Sequence, residues 1–227
     1  MKGTNATIIS VNVGLPASLK HGEKVVVSGI RKQSVQDRIK VSFDGLPGDG
    51  QADLVNHGGP DKAVCVYSFD HYPYWEERLG RQLEAGSFGE NFTLSGRDEE
   101  DWCIGDKVRI GTALLQVSQP RQPCFKLGAR HGVPELGEWV TATGYTGFYF
   151  RVLIEGEVKA GDKAVIEERH DAAITIAEAN LVMHHNKSDL AGIRKLLAVD
   201  ELSASWRKTL QARLDRLTGE SELEKVN

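Results

Sequence analysis

Cys124 lies in the segment Ser118-Gln119-Pro120-Arg121-Gln122-Pro123-Cys124-Phe125-Lys126, the stretch that says most about chemistry. Its two prolines cannot donate ladder hydrogen bonds, so the chain is expected to leave its sheet there. Arg121 and Lys126 bracket the sulfur in sequence. Neighbouring cations favour the thiolate, the form that attacks electrophiles or binds metal. The competing role for a free cysteine is that of a small buried hydrophobe. A second segment, Asn56-His57-Gly58-Gly59-Pro60-Asp61-Lys62-Ala63, joins a glycine pair to a cation. Glycines let backbone N–H groups approach a ligand closely, and Lys62 is a point charge suited to phosphate. The spacing is not that of a P-loop, and a tight loop feeding a strand would use the same residues.

Phe88-Gly89-Glu90-Asn91-Phe92 places an acid and an amide just before a strand. The Asn91 amide both donates and accepts, as reading a heterocycle edge requires; a surface turn is the alternative. Ser28-Gly29-Ile30-Arg31-Lys32 ends a strand with two cations able to hold an anion. Arg151, on the strand face opposite Phe150 and Val152, is either a buried cation with an anionic partner or an exterior residue. The seven histidines show no metal-ligand spacing. His184 and His185 would point about 100° apart on a helix and are read as surface or helix-end residues. Ser, His and Asp residues are too dispersed for a triad.

These residues need elements to position them. Apolar, β-branched runs bounded by Gly or Asp predict strands at 7–13, 24–30, 38–43, 63–67, 107–110 and 113–117, with alternation continuing from Phe148 to Ile166. One helix opens with Ser68 as N-cap, keeps Pro73 in its first turn and ends at Gly80. The acidic run at 98–101 is expected to be a solvated loop. The pattern changes after Glu168. Thr175-Ile176-Ala177-Glu178 is a capping box. Ser188 and Asp189 open a second helix with Leu190, Ile193, Leu196 and Leu197 on one face. Ser203 caps a third, in which Trp206, Leu210, Leu214 and Leu217 recur before Gly219. Arg207, Lys208, Arg213 and Arg216 on that helix read as a solvated basic face rather than a helix-turn-helix surface.

The predicted architecture is therefore α+β: a mainly antiparallel, β-barrel-like domain over residues 1–168, then a small three-α-helix domain over 169–227. The 227 residues carry a net charge of −4, so no nucleic-acid partner is expected. No apolar run approaches the roughly 20 residues of a membrane span, and residues 1–6 lack a signal-peptide pattern. Three cysteines are an odd count that fits a reducing cytoplasm and cannot supply four ligands to an iron–sulfur cluster. Cys65 and Cys103, in apolar surroundings, are expected to be packing residues.

Taken in order, Ser28–Lys32, Gly45-Leu46-Pro47-Gly48-Asp49, His57-Gly58-Gly59-Pro60-Asp61-Lys62-Ala63, His71-Tyr72-Pro73-Tyr74-Trp75, Phe88-Gly89-Glu90-Asn91, Gln119-Pro120-Arg121-Gln122-Pro123-Cys124 and Gly147-Phe148-Tyr149-Phe150-Arg151-Val152 resemble the MOSC-domain family. The tail is similar to the helical domain of its YiiM-type members. That resemblance implies a barrel binding the molybdenum cofactor (molybdopterin form), with Cys124 as catalytic thiolate and ligand to molybdenum. Lys32, Lys62 and Arg121 would neutralise the cofactor phosphate. His57, Glu90 and Asn91 would bond the pterin edge, with Gly58, Gly59 and Asp61 in the same cradle. It further implies reduction of N-hydroxylated bases such as 6-N-hydroxylaminopurine to amines. The electrons would come from a separate reductase, because the chain has neither the cysteines nor the length for a ferredoxin-like domain. Tyr72, Trp75 and Phe125 are candidates to stack on the base, although core packing is the commoner fate of each. The alternative is a non-catalytic sulfur or cofactor carrier using Cys124. A homodimer is compatible with either.

Overall fold

The computed structural model describes residues 6–53 and 58–219. Its strands are β1 (Ala6–Val13), β2 (Ala17–His21), β3 (Lys24–Ser28), β4 (Gln33–Val35), β5 (Ile39–Val41), β6 (Val64–Ser68), β7 (Phe92–Ser95), β8 (Lys107–Ile110), β9 (Ala113–Pro120), β10 (Phe148–Ile154), β11 (Gly156–Val158) and β12 (Lys163–Glu168). Seven of them form a closed ring in the order β12-β8-β9-β10-β6-β7-β1, and β1 pairs back onto β12 through Ala6 with Ala164 and Thr7 with Lys163. Neighbours in the ring are antiparallel except β6 and β7, which run parallel. Closure removes the exposed edges of an open sheet. β4 extends from β1, while β2–β3 and β5–β11 form separate two-stranded sheets.

The ring fills with alternating apolar side chains, among them Ile8, Val66, Phe92, Leu94, Val108, Leu115, Val117 and Phe150. Two predicted strands are shorter than expected: the one at 24–30 stops at Ser28 and the one at 38–43 covers only Ile39–Val41. Beyond Ser28 the chain turns: the Ile30 N–H bonds back to the Ser28 hydroxyl. Ser42 and Gly45 bond each other in a tight turn.

A 3₁₀ turn, Phe69–His71, precedes α1 (Tyr72–Leu79). Ser68 accepts the Asp70 N–H, and Gly80 ends the helix in the left-handed region. Two helices were not foreseen, α2 (Phe125–His131) and α3 (Leu136–Thr143). With α1 they enclose a second core of Leu19, Tyr67, Tyr72, Trp75, Phe88, Leu127, Leu136 and Val140.

The C-terminal helices are α4 (Ile176–Asn180), continued by a π-helical turn at Leu181–His185, then α5 (Leu190–Leu197) and α6 (Ala204–Thr218). The capping box is reciprocal: Thr175 Oγ1 accepts from Glu178 N at 3.0 Å, and Glu178 Oε2 from Thr175 N at 2.9 Å. Asp189 and Ser203 cap α5 and α6. Ile176, Ile193, Leu196, Trp206 and Leu210 belong to the same core as the barrel residues, so the helices pack onto the barrel as one hydrophobic unit. The basic face of α6 is only partly solvated. Arg207 donates to the carbonyls of Leu197 and Val199, both at 2.6 Å, and Arg213 to those of Val182 and Met183. These cations satisfy carbonyls left over at helix ends. No helix among the described residues is long and apolar enough to cross a membrane.

Candidate functional site

At one end of the barrel, β9 runs through Pro120 before the chain turns away, so the prolines end the strand as expected. Cys124 follows as the N-cap residue of α2, in extended conformation, and is half-buried. It sits where two clefts meet. The first, about 640 Å³ including its open mouth, is walled by Lys32, Cys65, Asn91, Arg121, Cys124 and Tyr149 with the Gly29 and Gly50 backbones. A methyl group added at Gly29 would lie 2.1 Å from the Gly50 carbonyl oxygen, so only glycine permits this approach. The second, about 1010 Å³ with its mouth, shares Lys62, Cys124, Lys126 and Tyr149 and reaches Phe125, Ser205 and Thr209.

Arg121 is 6% exposed, and its Nη1 has no hydrogen-bond partner among the described residues. Its main-chain N–H is fixed on Gly147 O at 3.0 Å. Burial opposes its charge, but the acidic groups around it, the Glu90 carboxylate among them, outweigh burial, so it remains a cation. Lys62 is half-buried at the junction of the clefts. Burial lowers its pKa, opposed by Asp61 and Asp53. Lys32 also faces the first cleft, in a buried ion pair with Asp49. The other Asp49 oxygen takes the Asn91 amide N–H at 2.9 Å. Asn91 uses its remaining capacity internally: Oδ1 accepts from Cys65 N at 3.0 Å, and Nδ2 also donates to Asn12 O at 3.2 Å.

Other predicted site residues stand further from the clefts. Glu90 is fully buried. Its carboxylate accepts from the Tyr72 hydroxyl at 2.5 Å, the Thr93 hydroxyl and Gly86 N at 2.8 Å, and Phe88 N at 3.0 Å. It therefore knots the loop before β7 together. Asp61 bonds Arg151 at 2.7 Å through one oxygen and Ala204 N at 3.0 Å through the other. That pairing makes Arg151 the partly buried cation with an anionic partner. Gly59, at φ 94°, opens the 3₁₀ turn Pro60–Lys62 beside Gly58. His57 lies outside the described residues.

Three expectations need correction. Cys65 is not only a packing residue: it lines the first cleft together with Tyr149. Burial raises both pKa values, so thiol and phenol stay protonated. β6 and β10 pair Cys65 directly with Tyr149, a register that short-range reading of sequence does not reveal. The acidic run is not wholly solvated either. Glu99 is 5% exposed and holds His71 Nε2 at 2.6 Å and Gly147 N at 2.8 Å. Its two partners come from distant segments, which is why the run looked like a surface loop. Finally, Tyr72 and Trp75 are buried, hydrogen-bonded to Glu90 and Tyr67, and offer no face to a ligand, whereas Phe125 is 49% exposed in the second cleft.

Comparisons with known proteins agree with this architecture. Residues 53–165 match the MOSC domain, and residues 174–217 match the YiiM-like, 3-alpha helix domain. A relative in Bacillus subtilis (strain 168), Uncharacterized protein YflK, is 46% identical over 217 residues, spanning 96% of this chain and 98% of its own length. A protein of Gibberella moniliformis named Reductase is 36% identical over 148 residues, 63% of this chain but 26% of that protein. The crystal structure of YiiM from Geobacillus stearothermophilus superposes with a TM-score of 0.80 at 42% identity, covering 92% of this chain and 99% of the other. With its closed barrel, its helical tail and relatives of nearly equal length, this chain belongs to the MOSC-domain family, in the YiiM-type branch that carries a three-helix domain.

Proposed function

We propose that this protein binds the molybdenum cofactor in the first cleft, with Cys124 as the thiolate ligand to molybdenum, and reduces N-hydroxylated bases to amines with electrons from a separate reductase. The observation that carries this reading is the buried Arg121 guanidinium, with an unpartnered Nη1, on the same cleft wall as Cys124. A buried cation without a partner is costly, and a bound anion would offset that cost. The phosphate of a pterin cofactor is such an anion, and Lys62 lines the same cleft. Among the described residues no three His, Cys, Asp or Glu side chains converge on a bare metal ion. With Cys65 kept protonated by burial, Cys124 is left as the single thiolate of the cleft, which suits a metal that arrives with its own sulfur donors. When bound, the cofactor supplies a two-electron redox centre suited to removing an oxygen atom. The relative named Reductase supports an oxidoreductase role.

The chain's own residues then position and protonate. Each turnover converts R–NHOH, two electrons and two protons into R–NH₂ and water. The Tyr149 hydroxyl, kept protonated by burial and bordering both clefts, can donate a hydrogen bond to the N–O oxygen. Lys62, at the same junction, is a second hydrogen-bond donor through its ammonium group.

The test is metal analysis of protein made in a host that synthesises the cofactor, alongside Cys124→Ala, followed by assay of 6-N-hydroxylaminopurine with a chemical reductant. Near-stoichiometric molybdenum and turnover are expected in the parent only. Equal molybdenum in both proteins would sink the ligand assignment, and cofactor retention without turnover would favour a carrier.

A further inference from the structure

Helix α6 begins on the barrel, at the cleft that Cys124 lines. Three hydrogen bonds seat its first turn: Ser203 N to Ser118 O at 3.0 Å, Ala204 N to Asp61 Oδ2 at 3.0 Å, and Ser205 Oγ to Gln119 Oε1 at 3.0 Å. Ser205 and Thr209, one helical turn apart, consequently line the second cleft together with Phe125. This cleft differs from the first in chemistry. Besides Asp53, Lys62 and Lys126, which it shares with the first, it holds an exposed aromatic ring, tilted against His21 with ring centroids 4.9 Å apart, and the amides and hydroxyls of Gln119, Ser205 and Thr209. An aromatic shelf together with small polar groups suits a flat heterocycle, which stacks on the ring and hydrogen-bonds along its edge. Both clefts open onto Cys124 and Tyr149, so a group bound in one meets a group bound in the other there.

We propose that the second cleft seats the ring of a planar N-hydroxylated heterocycle between Phe125 and the Ser205–Thr209 face of α6, making the three-helix unit the wall that sets substrate choice. This rests on the reduction reading above and adds to it the place and shape of the substrate. Phe125 supplies the stacking face, and Ser205 and Thr209 bound the far edge, so a bulkier residue at 209 shortens the cleft. The N–OH group points back toward Cys124 and Tyr149.

The test uses molybdenum-loaded protein with a chemical reductant and two substrates, 6-N-hydroxylaminopurine and ringless hydroxylamine. The variants are Phe125→Ala and Thr209→Trp, both at exposed positions. In each, kcat/KM for the purine should fall about tenfold more than for hydroxylamine, mainly through KM, with molybdenum content unchanged. Calorimetric titration with adenine, which cannot be reduced, should show affinity about tenfold weaker in both variants. Equal losses on the two substrates, adenine affinity that neither variant changes, or no adenine binding by the parent overturns the cleft assignment. A parent that reduces neither substrate, yet binds adenine in a manner both variants weaken, overturns the reduction reading and leaves the cleft assignment standing.

Discussion

His71 Nε2 lies 2.6 Å from Glu99 Oε2 in the interior, while the other Glu99 oxygen holds Gly147 N at 2.8 Å. His71 also stacks on Tyr145, with centroids 3.8 Å apart. Gly147 O in turn fixes Arg121 N. Glu99 thus acts on the cleft through two backbone steps. Glu99→Ala leaves His71 and the Gly147 N–H without their shared acceptor and should cost about 1–3 kcal/mol in urea unfolding. It should also lower molybdenum retention, whereas Glu99→Gln, which keeps an acceptor, should retain most of both. Unchanged retention in Glu99→Ala would separate the network from the cleft.

Arg121→Met should affect stability and function in opposite directions. It replaces an unpartnered buried cation with an apolar chain of similar length, so the cofactor-free protein should unfold at higher urea, by about 1–3 kcal/mol. The same change should reduce molybdenum content about tenfold, read by metal analysis. A lower urea midpoint would mean that the guanidinium has partners in the cofactor-free protein.

His131 should make the molecule acid-sensitive. Its Nε2 bonds Ser87 O at 2.8 Å, and its Nδ1 faces Arg81 Nη2 at 2.9 Å, so the neutral ring donates on one side and accepts on the other. Burial lowers its pKa most strongly; the bond to Ser87 opposes that, and the Arg130 and Arg81 charges lower it further. Below the ordinary histidine pKa of about 6.5 the unfolded chain binds the proton first, so stability falls with pH across that window. Urea midpoints from pH 7.5 to 5 should drop more in the parent than in His131→Gln, which keeps a donor for Ser87 but does not titrate. Parallel pH profiles would place the sensitivity elsewhere.

Arg207 bonds the Leu197 and Val199 carbonyls at the end of α5. Arg207→Ala should cost about 1–2 kcal/mol, and hydrogen exchange should rise first in α5 and α6. Protection there equal to the parent would show that water replaces the guanidinium at no cost.

Local sequence carried much of this molecule. The capping box at Thr175, the caps at Asp189 and Ser203, and the αL stop at Gly219 are short-range signals, and each lies where its residues indicated. Cys124 was legible because prolines and cations surround it in sequence. What stayed hidden is long-range. Cys65 joins the cleft through its register with Tyr149, and Glu99 is buried by partners 28 and 48 residues away. Helices α2 and α3 escaped notice because Gly128 and Gly137 interrupt their patterns. Gly128 is there for packing: an added methyl group would sit 2.7 Å from Val133 O.

The pairing of Ala6 and Thr7 with Ala164 and Lys163 also orders events at the ribosome. The first strand made must wait for the last before the ring can shut, about 157 residues of synthesis, on the order of ten seconds or more. Until then its edge is exposed, and a chaperone that shields nascent strands would find its best target there. Helix α6 emerges after the ring can close, so the wall beside Cys124 is the last part of the site to be assembled.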